Sequence, residues 1–485
     1  MTDPISAAPV VVWFRRDLRL ADNPALHAAI QSGRPVIPLF VLDETDGVRP
    51  AGAAGLWWLD KSLKALNADL ERIGSRLILR RGAAAAVVQA VMAETGAGAL
   101  YWNRLYDPGL VDRDAALKTA VRDAGKEAES FNAALLVEPW ALKTKTGGPY
   151  RVYTPFWRAA RPMAGEFTLH RAPEILTAPQ HWPASDDLAD WGLHPARPDW
   201  SKGFVAEWTP GEAGAADKLH RFIDEALSDY AAARDRPALL GTSHLSPHLH
   251  WGEIGPRQIW RAVEGAMHHR PGLAPQGEKV LAELGWREFN HHLLFDRPDL
   301  PTANYKPAFD AFPWRTDAAG FKAWTGGMTG YPLVDAGMRE LWATGFMHNR
   351  VRMITASFLI KHLLMDWRQG EAWFWDTLLD ASPANNVLNW QWVAGSGADA
   401  SPFFRIFNPV IQGEKFDAQG AYVRRWVPEL GQMPAKYVHA PWTAPPAILK
   451  AAGVKLGETY PKPIVDHDLA RKRALEALQT IRVDG

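Results

Sequence analysis

Between residues 10 and 131 short apolar runs alternate with helical patterns, and that alternation constrains the fold more than any other feature of the chain. Val10–Phe14, Val36–Leu42, Arg76–Arg80, Ala99–Asn103 and Glu127–Phe131 read as strands. Helical periodicity fills the intervals at about 24–32, 55–73, 85–95 and 111–124. Asp22-Asn23-Pro24 supplies a capping side chain ahead of a first-turn proline. Strands separated by helices predict a parallel sheet with right-handed crossovers, a doubly wound α/β domain. Such a sheet offers a crevice at the carboxyl ends of its strands. The dinucleotide signature is missing, because Gly96-Ala97-Gly98 precedes a strand, and no phosphate-binding Gly-x4-Gly-Lys-Ser/Thr loop occurs.

From 132 to 205 the chain is rich in Pro, Ala and Trp with weak periodicity, as a surface connector would be, with some helix around Thr154–Ala160. From about 213 helical patterns dominate, at 213–232, 256–266, 277–295, 318–325, 333–344, 347–366, 370–379 and 384–393. The expected organisation is an α/β domain over 1–131, a connector over 132–205 and an all-α domain over 206–485. A chain of 485 residues can bury a large core without staples. No cysteine is present, which excludes disulfides, thiolate nucleophiles and Cys-type metal sites. With 54 basic and 54 acidic residues the net charge is zero, so a nucleic acid would have to be held by a local basic patch. The apolar stretches are shorter than the ~20 residues that span a bilayer, and Asp3 stands where a secretory signal would be basic, so a cytoplasmic protein is expected. Of 23 tryptophans, fifteen lie at or after Trp200. Indole is an awkward core filler because its N–H needs a partner, so the surplus asks for a reason.

Four segments carry candidate chemistry. Gly241-Thr242-Ser243-His244-Leu245-Ser246-Pro247 is a hydroxyl-rich loop opening toward a helix, suited to phosphate oxygens and equally to a Ser/Thr capping turn. His244, His248 and His250 lie close together, but Pro247 and the lack of a spaced carboxylate argue against a metal. Glu283, Trp286, Arg287 and Asn290 fall on one helical face, either a surface for a planar heterocycle or a salt-bridged face. Asn349, Arg350, Arg352 and Met353 open a helix whose dipole and two arginines favour an anion. Asp380-Ala381-Ser382-Pro383-Ala384-Asn385-Asn386 runs into Trp390 and Trp392.

In this order and spacing, with Met328–Arg339, Phe346–Arg352, Phe404–Pro409, Gln412–Asp417 and Trp13–Asn23, these segments resemble the photolyase and cryptochrome flavoproteins over about residues 10–470. The resemblance implies FAD held by Tyr230, Thr242, Ser243, Leu245 and Ser246, with Arg287 and Asn290 also in the cofactor set. It implies an Arg352–Asp380 ion pair beside the isoalloxazine, with Ala381 and Ser382 adjoining and Asn386 facing flavin N5. It implies that Trp390, Trp367 and Trp314 relay electrons to photoexcited flavin. It further implies that Glu283, Trp286, Met353 and Trp392 line a pocket for a flipped-out pyrimidine dimer, and that Arg234, Asn349, Arg350 and Arg405 contact DNA around its mouth.

Six-four photoproduct enzymes are similar but carry histidine where Met353 stands, so Met353 favours cyclobutane dimers. Trp102–Pro108 and Gly148–Trp157 look closest to the bacterial class III cyclobutane photolyases. Ser382 replaces a second Asp of many relatives. Gly109 and Leu110 replace an Asn-Glu pair that holds folate in class I enzymes, so the methenyltetrahydrofolate antenna implied by the class III likeness would occupy another pocket, whose residues stay unassigned. The expected protein is a monomeric lyase that repairs UV-damaged DNA by electron transfer from excited reduced FAD. The alternatives are a cryptochrome-like photoreceptor, disfavoured by Glu283, Met353 and the lack of a long tail, and a six-four photolyase.

Overall fold

The computed structural model describes residues 8–400 and 404–481. Five parallel strands form one sheet in the order β3-β2-β1-β4-β5, with β1 at Val10–Phe14, β2 at Val36–Asp43, β3 at Ile78–Gly82, β4 at Ala99–Asn103 and β5 at Glu127–Phe131. Strand order runs outward from β1 in both directions, so the sheet is doubly wound, as the alternation predicts. Central β1 is buried throughout, so it reads as an uninterrupted apolar run. Four helices cover the faces: α1 (Pro24–Gln31), α2 (Ala53–Arg72), α3 (Ala84–Thr95) and α4 (Leu110–Asp123). Asn23 caps α1 by accepting the Leu26 N–H at 3.1 Å.

β3 lies two residues later than its apolar content predicts. Leu77 N–H is taken by Asn67 Oδ1 at 2.9 Å, and the ladder instead pairs Arg80, Arg81 and Gly82 with Val41, Leu42 and Asp43. Register, not hydrophobicity, decides the boundary.

Packing divides the chain into two compact units that are not contiguous in sequence. One contains residues up to Trp200 with Trp208–Ile223 and His244–Pro298; the other contains Ser201–Glu207, Asp224–Ser243 and the chain from Asp299 onward. The division expected at residue 206 therefore does not follow the packing. Helices Pro256–His269 and Ala274–Asp296 join the α/β unit because the connector binds them there. Its helix α5 (Tyr153–Ala160) sets Phe156 against Phe289 at 5.2 Å between centroids. The Glu288 carboxylate accepts the N–H groups of Leu136 and Val137 at 2.8 and 3.2 Å. Burial pushes Glu288 up to about 7.

Two long helices expected from periodicity are broken. The stretch 213–232 is a helix only over Glu212–Arg221, continues as a π turn at Phe222–Ala226, and resumes for one turn at Tyr230–Ala233. The stretch 347–366 is helical over Asn349–Ser357, becomes a π turn at Phe358–His362, and ends with Leu364 at φ 55°. Asp366 then caps a new helix, Trp367–Thr377, by accepting the Arg368 N–H at 2.9 Å. Among the described residues no helix is long and apolar enough to cross a membrane.

Candidate functional site

In the α/β unit, helix Ala274–Asp296 holds Glu283 and Trp286 half-buried on one face. The Trp286 indole lies flat on the Tyr153 ring, with centroids 3.7 Å apart and planes 7° from parallel. Tyr153 is anchored by its hydroxyl, which donates to the Ala282 carbonyl at 2.6 Å. Burial, then the Glu283 carboxylate, raises the Tyr153 pKa, so the phenol stays neutral. Gly285 makes this approach possible: a Cβ there would sit 2.5 Å from Trp157. Asn290 is buried on the same helix. Arg287 leaves this wall. Its guanidinium donates to the Ala134 carbonyl at 2.8 Å and pairs with Glu288 at 3.0 Å, so it ties connector to helix. Tyr153 was not singled out in the sequence; its signal was the Gly148–Trp157 motif.

The hydroxyl loop passes from one unit to the other, Thr242 and Ser243 belonging to the second and Leu245 and Ser246 to the first. Gly241 lies against the turn that carries Tyr230, so a Cβ there would meet the Ala233 backbone at 2.8 Å. His244 adopts φ 51°. The histidine group is not a metal triad. His248 Nδ1 lies 2.5 Å from Glu253 Oε2, and Glu253 Oε1 also accepts from the Trp58 indole and the Gly211 N–H.

In the second unit, Arg352 and Asp380 form a two-pronged ion pair at 3.0 and 2.9 Å, the strong planar geometry of guanidinium and carboxylate. Arg352 Nε also donates to the Met347 carbonyl at 2.7 Å. Ala381 and Ser382 are buried beside it. Ser382 caps helix Pro383–Ala394, its Oγ accepting the Asn385 N–H at 3.1 Å, so the hydroxyl that replaces a relative's carboxylate is used for capping. Asn386, a turn later, donates its amide N–H groups to the backbone carbonyl and Oε1 of Glu371 at 3.0 and 2.9 Å. Both partners are acceptors, which sets the amide orientation. Its Oδ1 then takes no donor among the described residues. Glu371, fifteen residues away in sequence, has no local pattern that could have flagged it.

Trp390 is buried on that same helix and packs against Gly370, whose lack of a side chain makes room for the indole. Trp367, one turn before Gly370, is fully buried and donates its indole N–H to Asn304 Oδ1 at 2.9 Å. Arg315 N–H bonds the Leu364 carbonyl at 2.8 Å, which brings half-buried Trp314 toward the start of the Trp367 helix; Trp314 itself rests on Phe312 at 4.4 Å between centroids. A second aromatic run also leaves Trp390. It passes to Trp324 (6.2 Å between centroids), Phe321 (5.8 Å), Trp373 (6.4 Å) and Trp342 (6.2 Å). Trp342 is 55% exposed. The tryptophan surplus hinted at such a run; which rings touch was not readable.

Arg350 and Met353 are half-buried and Asn349 is exposed, on the helix capped by His348, whose Nδ1 accepts the Arg350 N–H at 3.2 Å. Arg350 is ion-paired with Asp235 at 2.9 Å and lies over Phe416, so it is a neutralised cation rather than a free one. Arg234 lies over the Tyr230 ring at 5.3 Å. Arg405 sits 4.7 Å over the Trp392 ring. Its carbonyl accepts from Lys361 Nζ at 3.0 Å, and burial pushes that ammonium down to about 7.

Charged side chains gather at the carboxyl ends of β1, β2 and β4. Arg15 pairs with Asp114 at 2.6 Å, and Arg113 pairs with Asp114 at 2.7 Å and with Asp43. Both guanidiniums lie over Trp13, at 4.6 and 4.9 Å. Asn103 donates to Asp17 at 2.6 Å.

The matches to known proteins agree with this arrangement. A family model described as DNA photolyase matches residues 10–177, and one described as the FAD binding domain of DNA photolyase matches residues 280–480. The chain is 56% identical to the deoxyribodipyrimidine photo-lyase of Agrobacterium fabrum over 99% of each chain. It is 40% identical to cryptochrome-1 of Arabidopsis thaliana, over 96% of this chain and 70% of that one. Its backbone matches a bacterial class III photolyase from Agrobacterium tumefaciens with a TM-score of 0.96 and 55% identity, covering 99% of both.

Proposed function

The chain belongs to the photolyase and cryptochrome family, and on that footing we propose that it is a light-driven lyase that reopens cyclobutane pyrimidine dimers in DNA. The observation that carries this reading is the wall on helix Ala274–Asp296, where Glu283 and Trp286 are held half-exposed and Trp286 is backed by Tyr153. A photoreceptor that never receives a base has no use for such a wall. An extruded dinucleotide loses its stacking, and an indole face replaces it. The Glu283 carboxylate supplies acceptors for the imide N–H edges of two pyrimidines. Met353, where six-four enzymes place a histidine, offers an apolar contact and no acid or base, which suits a ring opening that needs none.

FAD fits the residues present. The Asn386 carbonyl takes no donor among the described residues and would accept from N5–H of a reduced flavin, while Glu371 prevents the amide from turning round. Arg352, oriented by Asp380, would offer its guanidinium to the flavin ring, and the hydroxyls of Thr242, Ser243 and Ser246 would serve the phosphates and ribose. Bound reduced FAD supplies, on absorbing blue light, one electron to the dimer and receives it back after the two ring bonds have broken, with no net redox change. The protein's own contribution is to bind, orient and keep water out. Trp390 serves a separate task, returning oxidised cofactor to the reduced state by passing oxidising equivalents outward along Trp367 and Trp314 and along Trp324, Trp373 and Trp342. Indole is easily oxidised, and in the second run neighbouring rings lie 5.8–6.4 Å apart between centroids, with Phe321 between Trp324 and Trp373.

The class III likeness suggests a methenyltetrahydrofolate antenna, whose residues stay unassigned. We place the protein in the cytoplasm as a monomer acting on single- or double-stranded damaged DNA. The test is direct: purified protein carrying reduced flavin is irradiated with blue light in the presence of dimer-containing oligothymidylate. Thymine absorbance should return. Its failure to do so, with photoreduction of bound flavin intact, would leave the photoreceptor reading in its place.

A further inference from the structure

The formal neutrality of the chain hides a segment that is not neutral. Between Glu138 and Glu166 there is no carboxylate, and five cations occur: Lys143, Lys145, Arg151, Arg158 and Arg161. Arg161 is already engaged, pairing with Glu278 at 2.8 Å. The other four are exposed, and among the described residues none of them has an ion-pair or hydrogen-bond partner for its side chain. This contrasts with Arg350, which Asp235 neutralises.

The segment carries the Tyr153 ring of the lesion wall, and its helix α5 runs along helix Ala274–Asp296. Arg151 is two residues from Tyr153, the ring stacked on Trp286. Lys143 is near enough to helix Ala274–Asp296 for its charge to help lower the pKa of His292, and His292 packs edge-on against Phe156 of α5 at 4.9 Å. Lys145 stands in a closed turn, where Thr144 N–H donates to the Gly148 carbonyl at 2.8 Å. Arg158 projects from α5 itself. The backbone that presents these cations is therefore ordered by its own hydrogen bonds and by aromatic packing, not by the charges it carries.

We propose that this connector segment, through Lys143, Lys145, Arg151 and Arg158, is a binding surface for the DNA phosphates that flank the extruded dimer. The proposal rests on the repair reading above and extends it to strand geometry. A dinucleotide standing against Trp286 leaves the duplex through a distorted backbone, and the phosphates on the side of α5 then pass over unpaired cations. Their attraction needs no base contact, so it acts equally on any sequence and weakens with salt through counterion release. A neutral protein gains a local positive field only where acids are left out, and this is where they are left out.

The experiment compares the full-length wild-type protein with the fourfold variant Lys143→Gln, Lys145→Gln, Arg151→Gln and Arg158→Gln. Affinity for a dimer-containing duplex is measured from about 50 to about 300 mM KCl, a range over which counterion release dominates the response. Light-driven repair is measured on the isolated thymine dimer dinucleotide, which has no flanking phosphates. The slope of log affinity against log salt should become shallower by about 0.9 for each phosphate that the variant no longer neutralises. Turnover of the dinucleotide at saturation should stay at the wild-type level. An unchanged salt slope overturns the proposal. So does an equal loss of duplex binding and dinucleotide repair, because it would show that the segment only shapes the wall. If wild-type protein repairs neither substrate the lyase reading fails on its own, and the slope comparison still decides whether the segment meets phosphate.

Discussion

At the carboxyl ends of β1, β2 and β4, the charges of Arg15, Arg113, Asp43 and Asp114 are paired with one another over the Trp13 ring, although Trp13 Nε1 and Arg15 Nε have no hydrogen-bond partner among the described residues. In the helical unit Trp390, Arg352, Asp380 and Asn386 use comparable groups, but Asn386 keeps a carbonyl oxygen with no protein donor among the described residues and the Arg352–Asp380 pair lies half open. In the first cluster each charged group meets an opposite charge within the cluster. The second keeps a carbonyl oxygen that a ligand can use.

Breaking the closed cluster should give the largest effect, and an effect on stability alone. Arg113→Met leaves partly buried Asp43 without its guanidinium and Asp114 with Arg15 alone, at a cost below the ~3–5 kcal/mol of breaking a fully buried pair. Urea unfolding reports it, and flavin content and repair per folded molecule should stay unchanged. Loss of flavin from native protein would show that this cluster supports the site after all.

Lys361 is the intermediate case, a buried ammonium facing one carbonyl. In the unfolded chain it titrates near 10.5, and in the fold near 7. The unfolded state thus binds more protons between these values, and stability rises with pH across that window by up to a few kcal/mol. Lys361→Met should be more stable than wild type at about pH 7 and should lose the rise between about pH 7 and pH 10. An unaltered pH profile in chemical denaturation would assign the ammonium a solvated place.

Changes at the open cluster should act chiefly on photochemistry, with a smaller loss of stability from the buried volume removed. Trp390→Phe should slow photoreduction of oxidised flavin by about tenfold or more, equivalent to over roughly 1.4 kcal/mol in barrier, and leave repair by chemically reduced protein intact. Trp367→Phe and Trp373→Phe should each cost about half of the rate, and together should match Trp390→Phe, since two routes in parallel each carry a share. Complete loss in Trp367→Phe alone would remove the Trp324–Trp373–Trp342 route.

How far the sequence could be read follows from the range of each interaction. The α/β half was legible to within two residues because strand and helix periods are local, and only β3 moved, where register against Val41–Asp43 outweighed hydrophobicity. The breaks within 213–232 and 347–366 were invisible, because a π turn keeps a helical pattern while packing shifts the frame by one residue. Arg287 shares a helical face with Glu283 by spacing, yet a long side chain swings to the connector when Glu288 and the Ala134 carbonyl are there to receive it. Glu371 and Tyr153 escaped notice because their partners, Asn386 and Trp286, lie far off along the chain.

Taken alone, the order of residues determined a parallel sheet followed by helices, the supply of indoles, the absence of thiols and the motifs that mark the family. Only the folded chain decided which tryptophans touch, which arginines are neutralised, which helices join which unit, and which amide oxygen stays open. Periodicity is written into neighbouring residues, whereas a contact between distant side chains exists only when the whole fold sets their separation and direction.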